Sequence, residues 1–208
     1  MLSIQKPTYN ELSQFLSRHR DVPFTYEDVE GTRRGTPNGY TCGQRRVKLG
    51  SGREVFLRAR RNLCDWKMFP ADFVDVVWPC PIEVGRVVAT LFRAPGFWTL
   101  NPCRIIYTVD ETVDSVEKFG FAYGTVGSHL ASGEERFTVE HNHEDDSVWY
   151  EVYCFSKADH WLAKLAYPYL RIQQHRFRRL SARAMQVAVS DVRQSSVARA
   201  TTEPSISA

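Results

Sequence analysis

No stretch of these 208 residues approaches the run of about 20 apolar residues that crosses a bilayer as a helix. The opening MLSIQKPTYNELSQFLSRHR is broken by Lys6, Pro7 and several polar residues, so it carries no signal-peptide core. The five cysteines, Cys42, Cys64, Cys80, Cys103 and Cys154, form no Cys-x-x-Cys pair that would suggest zinc or a redox couple, and they read as reduced thiols. Excess charge is scarce as well. With 27 basic residues against 24 acidic, the net charge of +3 does not demand nucleic acid or an anionic membrane as a partner. The chain also lacks the Gly-Lys-Ser/Thr of a phosphate-binding loop and the third glycine of a dinucleotide fingerprint, and no cofactor is expected. Together these absences predict a cytoplasmic protein without integral membrane contact.

What the chain does have is apolar and aromatic material, 43% and 12% of residues, enough for one core. The expected organisation is a single domain over residues 1–190. DVRQSSVARATTEPSISA, lacking large apolar residues, is expected to be a disordered tail from 191 to 208.

Hydrophobic spacing predicts a first helix over Thr8 to His19, with Leu12, Phe15 and Leu16 on one face. Glycine and proline crowd Asp28 to Gly43, a segment expected at the surface and mobile. RRVKLGSGREVFLRARRNLCDW then reads as strand, tight turn and helix. Ser51 and Glu54 stand at capping-box spacing, and Phe56, Ala59, Leu63 and Trp66 form an apolar stripe. FVDVVW, EVGRVVATLFR, CRIIYTV, Glu134 to Glu140 and Val148 to Phe155 read as successive strands, with HNHEDD as a hairpin loop. No helix-sized crossover separates them, which argues for antiparallel pairing. From Asp159 to about Ser190 a long helix is expected, with Leu170, Phe177, Leu180, Ala184 and Val187 inward and Arg171, Arg176, Arg178, Arg179 and Arg183 solvated. Pro168 is expected to kink or divide it.

This order of elements is an α+β pattern: a curved antiparallel sheet gripping a long C-terminal helix. It is similar to the helix-grip fold of START-like and birch-pollen-allergen (Bet v 1-like) proteins, whose sheet and helix enclose a hydrophobic cavity. A sharper resemblance lies in GSGRE (Gly50 to Glu54), the Trp66 region, PIEVG (Pro81 to Gly85), PCRIIYTVDE (Pro102 to Glu111), FGFAYGTVGSH (Phe119 to His129), GEERF (Gly133 to Phe137), VWYEVYCFSK (Val148 to Lys157) and HWLAKLAYPYLRIQQ (His160 to Gln174). On these blocks the chain, from about Phe24 to Met185, resembles the domain of unknown function 1990 family, also called uncharacterised protein family 0548. Val126-Gly127-Ser128 and SKAD depart from that family's usual Leu-Pro-Gly or Leu-Gln-Gly and Ser-Lys/Arg-Pro. The resemblance implies no particular activity.

The densest chemistry lies in FGFAYGTVGSHLASGEERF, Phe119 to Phe137. Alternation puts Phe119, Phe121, Tyr123 and Thr125 on one strand face and Gly120, Ala122, Gly124 and Val126 on the other. His129, Glu134 and Glu135 lie close in sequence, and Glu135 shares a face with Phe137. A histidine with a carboxylate suits acid/base chemistry, whereas hydrogen bonding within a tight loop is the simpler role. Arg104, on an otherwise apolar strand, needs a carboxylate if it points inward: Glu135, Glu151 or a ligand's. Trp149, Glu151, Tyr153 and Phe155 share another face, making Glu151 a second candidate for a buried acid. His141 and His143 beside Glu144, Asp145 and Asp146 read as a solvated hairpin tip, and no metal site is expected.

Two functions fit. The first is binding of a hydrophobic or amphipathic small molecule in a cavity lined by Trp66, Arg104, Phe121, Tyr123, His129, Glu135, Phe137, Trp149, Glu151 and Phe155. The second is a cyclase, hydrolase or isomerase using Glu135 with His129 or Tyr123. Neither calls for nucleic acid, and the oligomeric state is open.

Overall fold

One curved antiparallel sheet, with helices on its inner face and the N-terminal segment on its outer face, organises the molecule. The computed structural model describes residues 2–77, 81–94, 96–127, 131–158 and 161–191, less the side chains of 2, 77, 93, 94 and 161–167. In chain order the elements are β1 (Leu2–Ser3), α1 (Tyr9–Arg18), α2 (Gly31–Arg34), β2 (Thr41–Ser51), α3 (Arg53–Cys64), β3 (Val74–Val77), β4 (Val87–Ala94), β5 (Phe97–Val113), β6 (Val116–Thr125), β7 (Ser132–Asn142), β8 (Ser147–Lys157) and α4 (Trp161–Ser190). The sheet order is β2-β8-β7-β6-β5-β4-β3, with β1 added to β5. Every pairing is antiparallel, so β3 to β8 form the expected meander and β2 closes beside the last strand. Register shifts between Ile105 and Tyr107 and between Lys48 and Gly50 bend the sheet, because an extra residue on one strand coils it away from its partner.

The inner face carries the main core. Phe121 and Tyr123 of β6, Phe137 and Val139 of β7, and Val148, Tyr150 and Val152 of β8 pack against Phe56, Ala59 and Leu63 of α3 and Phe177, Ala182 and Met185 of α4. Trp66 joins this core from just beyond α3, in a left-handed backbone conformation with φ 58°. The small-residue face of β6 is the outer one. Tyr26 fills the space that a side chain at Gly124 would occupy, and Ala122 packs with Tyr107 and Val109.

Three local expectations are corrected. Ser51 does not cap α3: it still pairs with Ser147 in β2, and Gly52 is the N-cap, its N–H held by the Asp146 carbonyl at 2.9 Å. The capping box belongs instead to Thr8 and Glu11 at the start of α1. Asp28 to Gly43 is not simply a surface loop, because Gly31 and Thr32 are buried. The third correction concerns α4, one helix that runs through Pro168. Its buried face is Phe177, Arg178, Ser181, Ala182, Met185 and Val189, while Val187 is 57% exposed. Apolar spacing alone misphased it, since Arg178 and Ser181 are polar residues with partners inside. The expected tail, beyond Asp191, lies outside the described residues, as do Cys80, His129 and His160.

Candidate functional site

Strand alternation assigns the candidate residues to two faces. Tyr123, Glu135 and Cys154 are successive cross-strand partners on β6, β7 and β8, and they look inward with Phe121 and Phe137. Glu134, Arg136, Glu151, Tyr153 and Phe155 occupy the alternate positions and look outward. The predicted lining set is therefore not one constellation.

On the inner side, Tyr123 donates a hydrogen bond to Glu135 Oε2 at 2.7 Å. Arg178, reaching in from α4, donates to Cys154 Sγ at 3.4 Å and acts on Glu135 by Coulomb attraction. Glycine at position 43 makes this reach possible, since a Cβ there would lie 2.5 Å from the guanidinium carbon. Beside them Tyr150 and Ser181 share a hydrogen bond of 2.6 Å. Burial pushes the Glu135 carboxyl up to about 7, against the opposing Tyr123 hydrogen bond and the Arg178 charge. Burial likewise raises Tyr123 well above the ordinary phenol range and pushes the Cys154 thiol up to about 12.

The inner face is unevenly buried. Phe121, Phe137, Tyr150, Val152 and Met185 have essentially no exposed surface and act as packing, not as cavity walls. Glu135 is only partly buried, ringed by protein yet reachable. Trp66, Phe69, Tyr123, Cys154, Phe177 and Arg178 each keep 5–8% of their surface. The aromatic rings adjoin, with centroids 5.9 Å apart for Trp66 and Phe69 and 5.3 Å for Phe69 and Phe177.

Arg104 does not pair with Glu135. It points outward from β5, lies over the Phe24 ring at 4.7 Å and donates to the Val22 carbonyl, because Ile105 takes the inward position opposite Tyr123. Glu151 is buried on the outer face and held by Arg136 at 2.8 Å and Gln44 at 2.6 Å. Trp149 is stacked by Arg46, and Phe155 has no exposed surface and meets Tyr26 and Tyr40 edge-on. These residues fasten the outer layer. His141 is also not a solvated tip: it is 3% exposed, hydrogen-bonded to Asp146 and stacked on Phe56. Its ligand atom lies within 4.8 Å of those of Glu117 and His143, with Glu117 engaged by Arg53.

With no ion pair to Glu135 among the described residues, the sign of its effect follows from linkage. A carboxyl whose folded-state value lies above its unfolded value of 4.5 stabilises most when protonated, and that stability is lost as pH rises from about 4.5 to about 7, at most on the order of 3 kcal/mol. Glu135→Gln is expected to match the parent protein near pH 5 and to melt higher than it at pH 8. Paired thermal melts check this; a lower melting point for the variant at pH 8 would show the carboxylate to be held by a cation.

A curved antiparallel sheet wrapped on a C-terminal helix, with a polar cluster on its inner face, defines a helix-grip protein. The chain belongs to the family described as domain of unknown function (DUF1990), whose model matches residues 25–184. Relatives carrying the name UPF0548 protein include one from Dictyostelium discoideum, 33% identical over 85% of this chain and 90% of its own. Another, from Arabidopsis thaliana, is 35% identical over 71% of this chain and 73% of its own. Among solved structures, a hypothetical protein of Helicobacter pylori is similar at TM-score 0.47 and 10% identity, covering 79% of this chain and 95% of that one. Norcoclaurine synthase of Thalictrum flavum is similar at 0.40 and 13%, covering 73% and 87%.

Proposed function

We propose that this protein binds a small amphipathic molecule on the inner face of the sheet, at the opening where Glu135 meets Tyr123, Cys154 and Arg178. The observation that carries this reading is an inward-facing, partly exposed carboxyl, Glu135, with Tyr123 and Arg178 beside it. Phe121 and Phe137 are fully packed, whereas the inward Glu135 carboxyl keeps exposed surface beside Tyr123, Cys154 and Arg178. Isolated polar groups among apolar walls are what a pocket uses to orient a largely apolar guest. A carboxyl near neutrality also meets the first requirement of an acid/base group. The named partner for such chemistry, Tyr123, is already committed to Glu135 as a donor and is kept protonated by burial, which favours binding over turnover. The four described cysteines are free thiols, in keeping with a reducing cytoplasmic setting.

Native mass spectrometry after gentle purification, followed by solvent extraction, tests the reading. The expected result is a small added mass that disappears on extraction, and rebinding of an anilinonaphthalene dye to the emptied protein with a rise in fluorescence. A bare protein mass together with no dye response would end it.

A further inference from the structure

We infer that the guest of this opening is an amphipathic carboxylic acid whose carboxylate sits on the Arg178 guanidinium, with its apolar body against Trp66, Phe69 and Phe177. This rests on the amphipathic-guest reading above and narrows it.

The argument starts from an unmet need. Arg178 is 6% exposed and offers five N–H donors, yet among the described residues its one acceptor is the Cys154 sulfur at 3.4 Å, a weak one. No described carboxylate is in ion-pair contact with it. A largely buried guanidinium without an anionic partner is costly, so buried arginines are normally matched by an anion. The chain nonetheless builds room for this one, leaving Gly43 bare where any side chain would collide with the guanidinium. The planar fork of arginine suits a carboxylate, which it can grip through two parallel hydrogen bonds.

The groups around the guanidinium leave the anion's place to a guest. The groups facing Glu135 and Arg178 are Tyr123 from β6, Cys103 from β5, Tyr150 and Cys154 from β8, and Arg171 from α4. Burial raises the two thiols and the two phenols, keeping all four neutral. Arg171 is occupied by Gln174 and the Cys42 carbonyl. Below pH 7 the Glu135 carboxyl is neutral as well, so the site presents the positive charge of Arg178, which lacks a strong acceptor among the described residues, and a carboxylic acid able to donate to the guest's oxygen. Above pH 7 Glu135 becomes the competing anion. Guest carboxylate and ionised Glu135 are thus alternatives, and binding takes up a proton.

Calorimetric titration of the full chain with decanoate, decan-1-ol, decylamine and decyl phosphate tests this. Decanoate is expected to bind about tenfold or more tighter than decan-1-ol at pH 6.5, as a charge-assisted pair requires. Its affinity should fall by about tenfold per pH unit above 7 in the parent protein and stay level in Glu135→Gln. Arg178→Met should erase the preference for decanoate; if that variant does not fold, Arg178→Lys, which keeps the charge and loses the fork, should weaken decanoate alone. Equal binding of decanoate and decan-1-ol, or tighter binding of decylamine or decyl phosphate, overturns the carboxylate assignment while leaving an amphipathic guest in place. Binding of none of the four overturns both.

Discussion

Phe137→Ala should lower the unfolding free energy by about 3–5 kcal/mol, the range for truncating a fully packed phenylalanine. Phe137 has no exposed surface and is the ring on which the inner face converges. Its centroid lies 5.4 Å from Phe121, 5.5 Å from Tyr123, 5.7 Å from Phe69 and 6.4 Å from Phe177. Those neighbours come from β6, the segment after α3, and α4, so no single element can shift to refill the space. The void would adjoin Tyr123 and hence the Glu135 opening. A small apolar solute such as toluene should therefore restore part of the lost stability to the variant and none to the parent, by binding only the folded form. Urea unfolding with and without toluene gives both quantities. A cost under about 1 kcal/mol would mean that the site collapses freely and that the ring is not the keystone of the inner face.

The same packing explains which parts of this architecture were legible in the sequence. The meander and the long last helix follow from turn residues and hydrophobic spacing, and they stand in the sheet order and in α4. The two faces of β6 were legible too, because one row is aromatic and the other small. β8 was not. Its outward row, Trp149, Glu151, Tyr153 and Phe155, holds three aromatics beside an inward row of Val148, Tyr150 and Val152, because the outer face is itself covered by Tyr26, Tyr40 and the start of α2. Alternation shows that two rows exist and leaves open which one faces the helices. Arg178 was hidden for a related reason. In a helix with four other arginines its charge reads as solvent-facing, and only Gly43, 135 positions earlier, shows that a place was left for it. Glu135 was placed on the correct face, whereas its expected partner was not, since the bulge near Ile106 sets which residues of β5 turn inward.

The outer face yields the second large effect, through Glu134. This carboxyl is 3% exposed and accepts from the Tyr26 hydroxyl at 3.0 Å, the Thr32 backbone N–H at 3.0 Å and the Thr32 hydroxyl. Thr32 is also bonded to Tyr107 at 2.7 Å, and its carbonyl accepts from Arg136 at 2.8 Å. Glu134 is therefore the anchor by which a segment more than a hundred residues earlier is fastened across β5, β6 and β7. Glu134→Ala strands three donors against a dry sheet face. At roughly 1 kcal/mol for each lost bond, the cost is about 3 kcal/mol, and it should be local before it is global: amide exchange across Tyr26 to Arg34 should accelerate ahead of exchange in β7. Glu134→Gln should cost about 1 kcal/mol or less. Its carbonyl still serves Thr32, its amide can donate to a reoriented Tyr26 hydroxyl, and the variant removes a carboxyl that burial has already driven upward against its hydrogen bonds. Hydrogen exchange and urea unfolding of the two variants separate anchoring by shape and hydrogen bonds from anchoring by charge. Equal losses in both would assign the hold to charge and contradict the upward shift of this carboxyl.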